Sequence, residues 1–455
     1  MNLKTTLILL TALLAIGSAA WWLSRSDPGV PQPPEGNSDA QRPPLLPPEV
    51  INLKRLDRIV FHRRSVKHEL LRTPTGWRMV TPVNHPVSAA AIQAFADQLG
   101  ALTHDPQDAS DRMKILHAAD DSITLASGDT EVNIILEDEL GGGYGWIVLS
   151  ADSLVQHKTE AAIHHLIKNL DPLAFLSKRL GTPSGLTTTR LDIESAAGDV
   201  TIRKIEGRWY LGDQDTRERA LSNIMTGFTN VPGYLNIPNA VDVVSYLSLD
   251  TANPAAYGLD QARILIRYTV ETPGGHGETQ TAELRVGSPA DPEKKTYFVS
   301  YQAPDSERPI FAVMPWDYAT VLARPVDDFR DPRVIETQPA LVQAVAGEGL
   351  GGSFLIEFQV GEAAPEHAAI TAALGGLAEA RADDYLPADQ LPGRAFASLT
   401  ITPRIGGQAE SLRVYELATP SDNGDRYVWV LRNNEAVAMR IPRQVIVDFF
   451  ESGPP

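Results

Sequence analysis

Residues 56–102 decide the fold, and they read LDRIVFHRRSVKHELLRTPTGWRMVTPVNHPVSAAAIQAFADQLGAL. Apolar and polar residues alternate over 57–62, which is the period of a half-buried strand, and a second short run follows. The Pro-Thr-Gly turn at 74–76 leads into a third strand at Trp77, because proline presets φ and glycine tolerates positive φ. Ser88 is placed to cap a helix. The apolar stripe of that helix is Ile92, Phe95, Leu99 and Leu102.

The same order of predicted strands, turn and helix recurs along the chain. A second copy begins at Thr189, and its Gly-Trp turn lies at residues 206–209. A third, weaker copy begins near Ser353 and lacks that turn. Short antiparallel strands followed by helices are typical of two-layer units. The predicted fold class is therefore α+β, with an N-terminal transmembrane helix, a Pro-rich linker and tandem repeated modules of antiparallel sheet plus helices.

The domain boundaries are predicted from where these sequence patterns change. The predicted divisions are a cytoplasmic tip and transmembrane signal anchor over 1–26, a Pro-rich linker over 27–49, module 1 over 50–182, module 2 over 186–336, and a divergent module 3 over 337–455.

Some local expectations follow from the same patterns. The region from Asp152 through Ile167 is predicted to be helical, as are residues 221–228 after a cap at Thr216 and residues 367–377. Trp77 and Trp209 are predicted to pack where strand meets helix, since an indole buries a large area.

Composition narrows the classes of function. The net charge is −17, which disfavours nucleic-acid binding because basic surface supplies that affinity. The chain has no cysteine, which excludes disulfides, thiolate nucleophiles and Cys-bound metals.

The N-terminus predicts the location. Residues 7–23 are almost wholly apolar, and with their flanks they give about 20 residues, enough to cross a bilayer. Trp21 and Trp22 fit the far interface, although the small residues 18–20 also fit a cleaved signal peptide. The prediction is a single-pass inner-membrane protein with most of the chain in the periplasm, contacting the lipid bilayer through its N-terminal helix. Residues 27–49 then form a partly extended stalk.

The chain resembles a known family through three short motifs: the Gly-Trp turn before a proline and helix, Tyr257-Gly258-Leu259, and Phe329-Arg330-Asp331. These are similar to the bacterial domain-of-unknown-function family DUF4340, whose membrane-anchored members are often encoded beside gliding-motility-type ABC transporter components. The resemblance spans roughly residues 50–335. It implies an auxiliary role near an ABC-type membrane complex, and it carries over no catalytic residue.

The sequence shows no catalytic constellation. There is no Gly-x-Ser-x-Gly elbow, no phosphate-binding glycine loop and no His-Glu-x-x-His motif. The acidic clusters at 120–121 and 137–139 lack EF-hand spacing. We therefore predict no catalytic residue, no cofactor-binding residue and no metal ligand. Tyr144, Trp146 and Trp316 are the candidate contacts for a partner or ligand.

Three functions remain open at this point. The leading hypothesis is a non-enzymatic, membrane-anchored periplasmic accessory or scaffold protein, whose partners are ABC-type transporter components or other envelope proteins. The alternative is a module that binds envelope glycan or peptidoglycan by aromatic stacking. The third is a hydrolase built on dispersed carboxylates, since paired acids need not be neighbours in the chain.

Overall fold

A computed structural model gives the fold. The residues that it describes are 43–63, 66–104, 121–140, 144–149, 156–160, 162–212, 218–220, 230–247, 253–272, 277–291, 293, 295–349, 352–358, 368–405, 407–416 and 426–451.

The first unit is an eight-stranded antiparallel sheet with the order β4-β3-β2-β1-β5-β6-β7-β8. Its strands are β1 Arg58–Arg63, β2 Val66–Thr73, β3 Gly76–Thr81, β4 His85–Pro86, β5 Asp121–Ser127, β6 Thr130–Leu140, β7 Tyr144–Leu149 and β8 Gln156–Glu160. Gly76, at φ 125°, makes the tight turn into β3. The two halves of the sheet are meanders that meet where β1 pairs with β5.

The second unit repeats this order in nine strands, β12-β11-β10-β9-β14-β15-β16-β17-β13. The strands are β9 Thr188–Ser195, β10 Val200–Ile205, β11 Arg208–Leu211, β12 Glu218–Arg219, β13 Ser245–Tyr246, β14 Ile264–Glu271, β15 Thr279–Asp291, β16 Thr296–Gln302 and β17 Ile310–Pro315. The first strand of each meander again joins the halves, because β9 pairs with β14.

The third unit has seven strands in the order β19-β18-β21-β22-β23-β24-β20. They are β18 Val342–Gly349, β19 Gly352–Glu357, β20 Asp384–Pro387, β21 Ala397–Pro403, β22 Glu410–Tyr415, β23 Tyr427–Arg432 and β24 Val437–Pro442. Its first meander has only two strands, and β18 pairs with β21 across the middle of the sheet.

Six α-helices lie in the described part of the chain. They are α1 Ala89–Gly100, α2 Ala162–Lys168, α3 Val231–Ala240, α4 Trp316–Leu322, α5 Ala368–Glu379 and α6 Arg443–Glu451. Ser88 caps α1, since its hydroxyl accepts the Ala91 amide at 3.3 Å. The prediction of a helix over 367–377 is confirmed by α5.

The predicted α+β class is wrong, because the structure is mainly β, with three antiparallel sheets. The reason is visible at 152–167, for which the sequence predicts helix throughout. Among the described residues there, 156–160 form the edge strand β8 and the helix begins at residue 162. The edge strands β4 and β12 add to the strand content, but each has two residues and is too short for a periodic pattern in the sequence to predict it. Among the helices that are described, none has the length and apolar content needed to span a bilayer.

Some predictions fall on other parts of the chain. The predicted transmembrane anchor, residues 1–26, and the helix predicted over 221–228 lie outside the described residues. The end of the predicted linker is described, and Leu45 and Leu46 are buried there. The Leu45 amide bonds the Leu102 carbonyl at 2.7 Å, so this segment packs on the first unit.

The hydrophobic core continues from the first unit into the second. Trp209 is part of this core and is 3% exposed, and the partly buried Trp77 packs against the same core. The third unit has a separate core under its helices and a small cluster on the opposite face, around Trp429. Val334 and Ile335, at the end of the second unit, are buried in the core of the third, and polar contacts join the two units as well.

Candidate functional site

The candidate contacts named from sequence are divided between two units. Tyr144 and Trp146 lie on β7, where their backbones pair with Glu160 and Lys158 of β8. Trp316 is the first residue of α4, in the second unit. The side chains of these three residues, and of the acidic clusters at 120–121 and 137–139, lie outside the part of the structure that is described.

The structure instead brings together a buried group of charges between the second and third units, here called the charged joint. Its members are Glu218, Arg219, Arg330, Asp331, Arg333, Glu336, Glu410, Arg432 and Glu435. They come from β12, from the segment that follows the second sheet, from the start of β22, from the end of β23 and from the turn between β23 and β24.

Arg219 is at the centre of the charged joint, with 11% of its side chain exposed. Its guanidinium lies 3.0 Å from Glu336, 3.2 Å from Glu410 and 3.5 Å from Glu435. Glu410 and Glu435 belong to the third unit, so Arg219 of the second unit is shared by two carboxylates of the third. These charges raise the pKa of Arg219 although burial alone would lower it, and the guanidinium stays charged.

Glu410 is buried and accepts hydrogen bonds from both Glu336 and Thr337. It accepts the amides of Glu336 at 2.9 Å and Thr337 at 2.7 Å, and the Thr337 hydroxyl at 2.5 Å. Burial alone would raise the pKa of Glu410, but the charge of Arg219 and these bonds outweigh burial and lower it. The carboxylate is therefore ionised at neutral pH.

A tight turn sets up the second pair of the joint. Asn433 and Asn434 adopt positive φ values of 50° and 57°, which asparagine tolerates better than most residues. The turn places Glu435 beside Arg432, and the two form a bidentate pair at 2.8 and 3.0 Å. Arg432 also donates to the Arg333 carbonyl, so the pair reaches back to the second unit.

The remaining pairs fix the connecting segment. Arg333 binds Asp331 through two nitrogens, at 2.8 and 2.6 Å. Burial alone would raise the pKa of Asp331, but the bonds from Arg333 and the charge of Arg432 lower it. The Asp331 amide donates to the Arg219 carbonyl, and Arg330 pairs with Glu218 and with Asp327. The backbone and the side chains of this segment are thus both tied to β12.

This arrangement is suited to holding two units together and poorly suited to proton transfer. Arginine does not lose its proton in proteins, and the pKa values of Asp331 and Glu410 are lowered, so neither acid carries a proton to donate near neutral pH. The carboxylates converge on arginines, whereas a hydrolase would direct two of them into a substrate cleft. The recess beside Trp209 and Arg219 has room for about one water molecule.

Besides their shared hydrophobic core, the first and second units make a smaller polar contact. His85 of β4 is fully buried, and its Nε2 lies 3.0 Å from the Tyr246 hydroxyl of β13. Tyr246 donates to the Ser177 carbonyl at 2.5 Å, so His85 is the donor to Tyr246. Burial lowers the pKa of His85 to about 4, which keeps the imidazole neutral. The amide of Asn84 adds a bond to the Ser306 hydroxyl at 3.3 Å.

Within the described ranges, no three His, Asp or Glu side chains are grouped as metal ligands would be. Sequence reasoning missed the charged joint because its partners are far apart in the chain: Arg219 and Glu410 are separated by 191 residues. One signal was available. Two of the three residues of the closing motif at 329–331, Arg330 and Asp331, belong to the joint.

Comparison with protein-family models, with curated proteins and with solved structures returns no match. The resemblance to DUF4340 therefore stays a prediction.

Proposed function

We propose that this chain is a non-enzymatic scaffold of the cell envelope, tethered by its N-terminal segment. It holds components of an ABC-type transport complex, or other envelope proteins, outside the cytoplasm. The observation that carries the proposal is the charged joint, because it locks the third unit onto the second through buried ion pairs.

A fixed joint supports this function for an energetic reason. Breaking a buried ion pair by removing one member costs about 3–5 kcal/mol, since the other charge is left buried without compensation. Arg219 is shared by Glu336 of its own unit and by Glu410 and Glu435 of the third unit, so two of its three ion pairs join the units. Two sheets held this way present their surfaces to partners in one geometry, which is what a scaffold needs.

The anchoring and the choice of partners rest on the sequence. The apolar run at 7–23 supports a membrane tether. The net charge of −17 fits a protein whose copies stay in solution because they repel one another. The resemblance to a family found near ABC-type complexes supports the class of partner.

Crosslinking in living cells, followed by affinity purification in mild detergent and mass spectrometry, tests the proposal. We expect specific envelope proteins to be recovered with the wild-type chain. A Glu410→Ala variant, which loosens the joint, should recover fewer of them, whereas Glu194→Ala, in an exposed ion pair, should match wild type. Recovery of the wild-type chain alone in repeated trials would refute the scaffold function.

A further inference from the structure

The outermost strands of the three sheets differ in how they are protected. The edge strands β4, β12 and β13 have two residues each, and they lie at the contacts between units. β20 ends in a proline, and β8 includes a lysine and a glutamate, which are common ways to discourage further pairing. β19 differs, because it is six residues long with the sequence Gly-Ser-Phe-Leu-Ile-Glu. No described strand pairs with its outer side.

The backbone of β19 shows which groups face outward. The Phe358 amide, just after the strand, donates inward to the Gln343 carbonyl. Inward and outward groups alternate along an antiparallel strand, so the N–H and C=O groups of Ser353, Leu355 and Glu357 face away from β18. Three donors and three acceptors are thus aligned on this edge.

Leu355 and Ala346 form an apolar pair on the outer face of the third sheet, with Glu357 and Glu348 on either side of it along the strands. Leu355 is 65% exposed. It pairs with Ala346, which in turn pairs with Thr400 on the next strand. The outer faces of the other two sheets carry ion pairs, for example Arg58 with Glu69 and Arg190 with Asp192. The third sheet has one at its opposite end, where Arg440 of β24 pairs with Asp384 of β20. The side chains of Leu355 and Ala346 have no polar group, so covering this pair costs little in desolvation provided that Glu348 and Glu357 stay in contact with water.

The opposite face of the same edge is apolar too. Phe354 and Phe450 are only partly buried, and their rings lie 5.9 Å apart at the rim of the third core. A further strand beside β19 would cover both rings and remove apolar surface from water.

We propose that β19 pairs antiparallel with β19 of a second copy of this chain, about a two-fold axis at Leu355. In that register Leu355 lies opposite its own copy, and Phe354 lies opposite Ile356. Glu357, the one charged residue of the strand, lies opposite Ser353, so no like charges face each other. The strand is thus complementary to itself, as a two-fold interface requires. This inference is independent of the proposed scaffold function.

Charge-pairing variants at Leu355 test the interface and its register. Sedimentation velocity of the full chain in detergent should show a monomer–dimer equilibrium that salt strengthens, since each copy carries a net charge of −17. Leu355→Lys and Leu355→Glu should each abolish the dimer at concentrations where wild type is mostly dimeric, and an equimolar mixture of the two should restore it. Leu186→Lys, at an exposed leucine of the second unit, is the matched control and should leave the dimer intact.

A wild-type chain that stays monomeric at every concentration would overturn the proposal. So would a dimer that is insensitive to Leu355→Lys, or a mixture that fails to pair.

The absence of cysteine gives a second, covalent test. Residues opposite each other in a hydrogen-bonded antiparallel pair have Cα atoms about 5.5 Å apart, which a disulfide can bridge. Leu355→Cys should therefore form a covalent dimer under mild oxidation, whereas Leu186→Cys should not. Circular dichroism confirms that each variant is folded. Failure of folded Leu355→Cys to crosslink faster than the control would also overturn the proposed axis.

Discussion

Replacing Glu410 with alanine should loosen the third unit from the second. The change removes the acceptor of the Glu336 and Thr337 amides and one of three carboxylates around Arg219. Truncating one member of a buried ion pair costs about 3–5 kcal/mol. Because Arg219 keeps Glu336 and Glu435 at 3.0 and 3.5 Å, we expect the lower end, about 3 kcal/mol.

Hydrogen exchange followed by mass spectrometry measures this loss at the joint itself. A local destabilisation of about 3 kcal/mol raises the opening equilibrium about 10²-fold, so the amides of Glu336 and Thr337 should exchange faster by about that factor. Chemical denaturation should show the third unit unfolding at lower denaturant than in wild type.

The matched control is Glu194→Ala. Glu194 pairs with Arg267 on the surface, with 50% of its side chain exposed, so its loss should cost less than about 1 kcal/mol. The reasoning is refuted if the two variants have equal stability, or if exchange at residues 336 and 337 is unchanged by Glu410→Ala.

Other parts of the fold give further predictions. Burial lowers the pKa of His85 to about 4, so the neutral imidazole makes its full contribution to the free energy of unfolding above pH 6.5. That contribution falls by about 3 kcal/mol as the pH drops to 4. His85→Gln should flatten this pH dependence in denaturant titrations. Gly287→Ala places a methyl group against the Tyr257 carbonyl and should cost about 1–3 kcal/mol in thermal unfolding, whereas Gly375→Ala, in open space within α5, should stabilise by about 0.5–1 kcal/mol. Tyr234→Phe removes a buried bond of 2.9 Å to a carbonyl and should cost about 1–2 kcal/mol by the same measurement.

Local patterns in the sequence predicted many of the strands. Alternation at 57–62 and the Gly-Trp turn correspond to β1 and β3, and the apolar stripe after Ser88 corresponds to α1. These elements could be predicted because their periodicity reflects one buried face each. The same reasoning overestimated helix, since β8 has a charged sequence without apolar alternation.

The candidate site could not be predicted in the same way. A two-residue strand such as β12 has no period to detect, and its Arg219 finds partners more than a hundred residues later. An ion pair between distant residues leaves no local mark in a single sequence, because arginine and glutamate are also the commonest surface residues.

The order of the strands also bears on how the chain folds. Most strands pair with a neighbour in sequence. The first sheet needs one pairing between non-consecutive strands, β1 with β5. The second needs two, β9 with β14 and β17 with β13, and the third needs β18 with β21 and β24 with β20. Contacts between near neighbours form quickly, so a unit can be complete before the ribosome has made the next one. Arg219 is then synthesised long before Glu410 and Glu435, and until they emerge its positive charge lacks two of its acceptors. The third unit can therefore be fixed onto the second only after β22 and the turn that follows β23 have been synthesised.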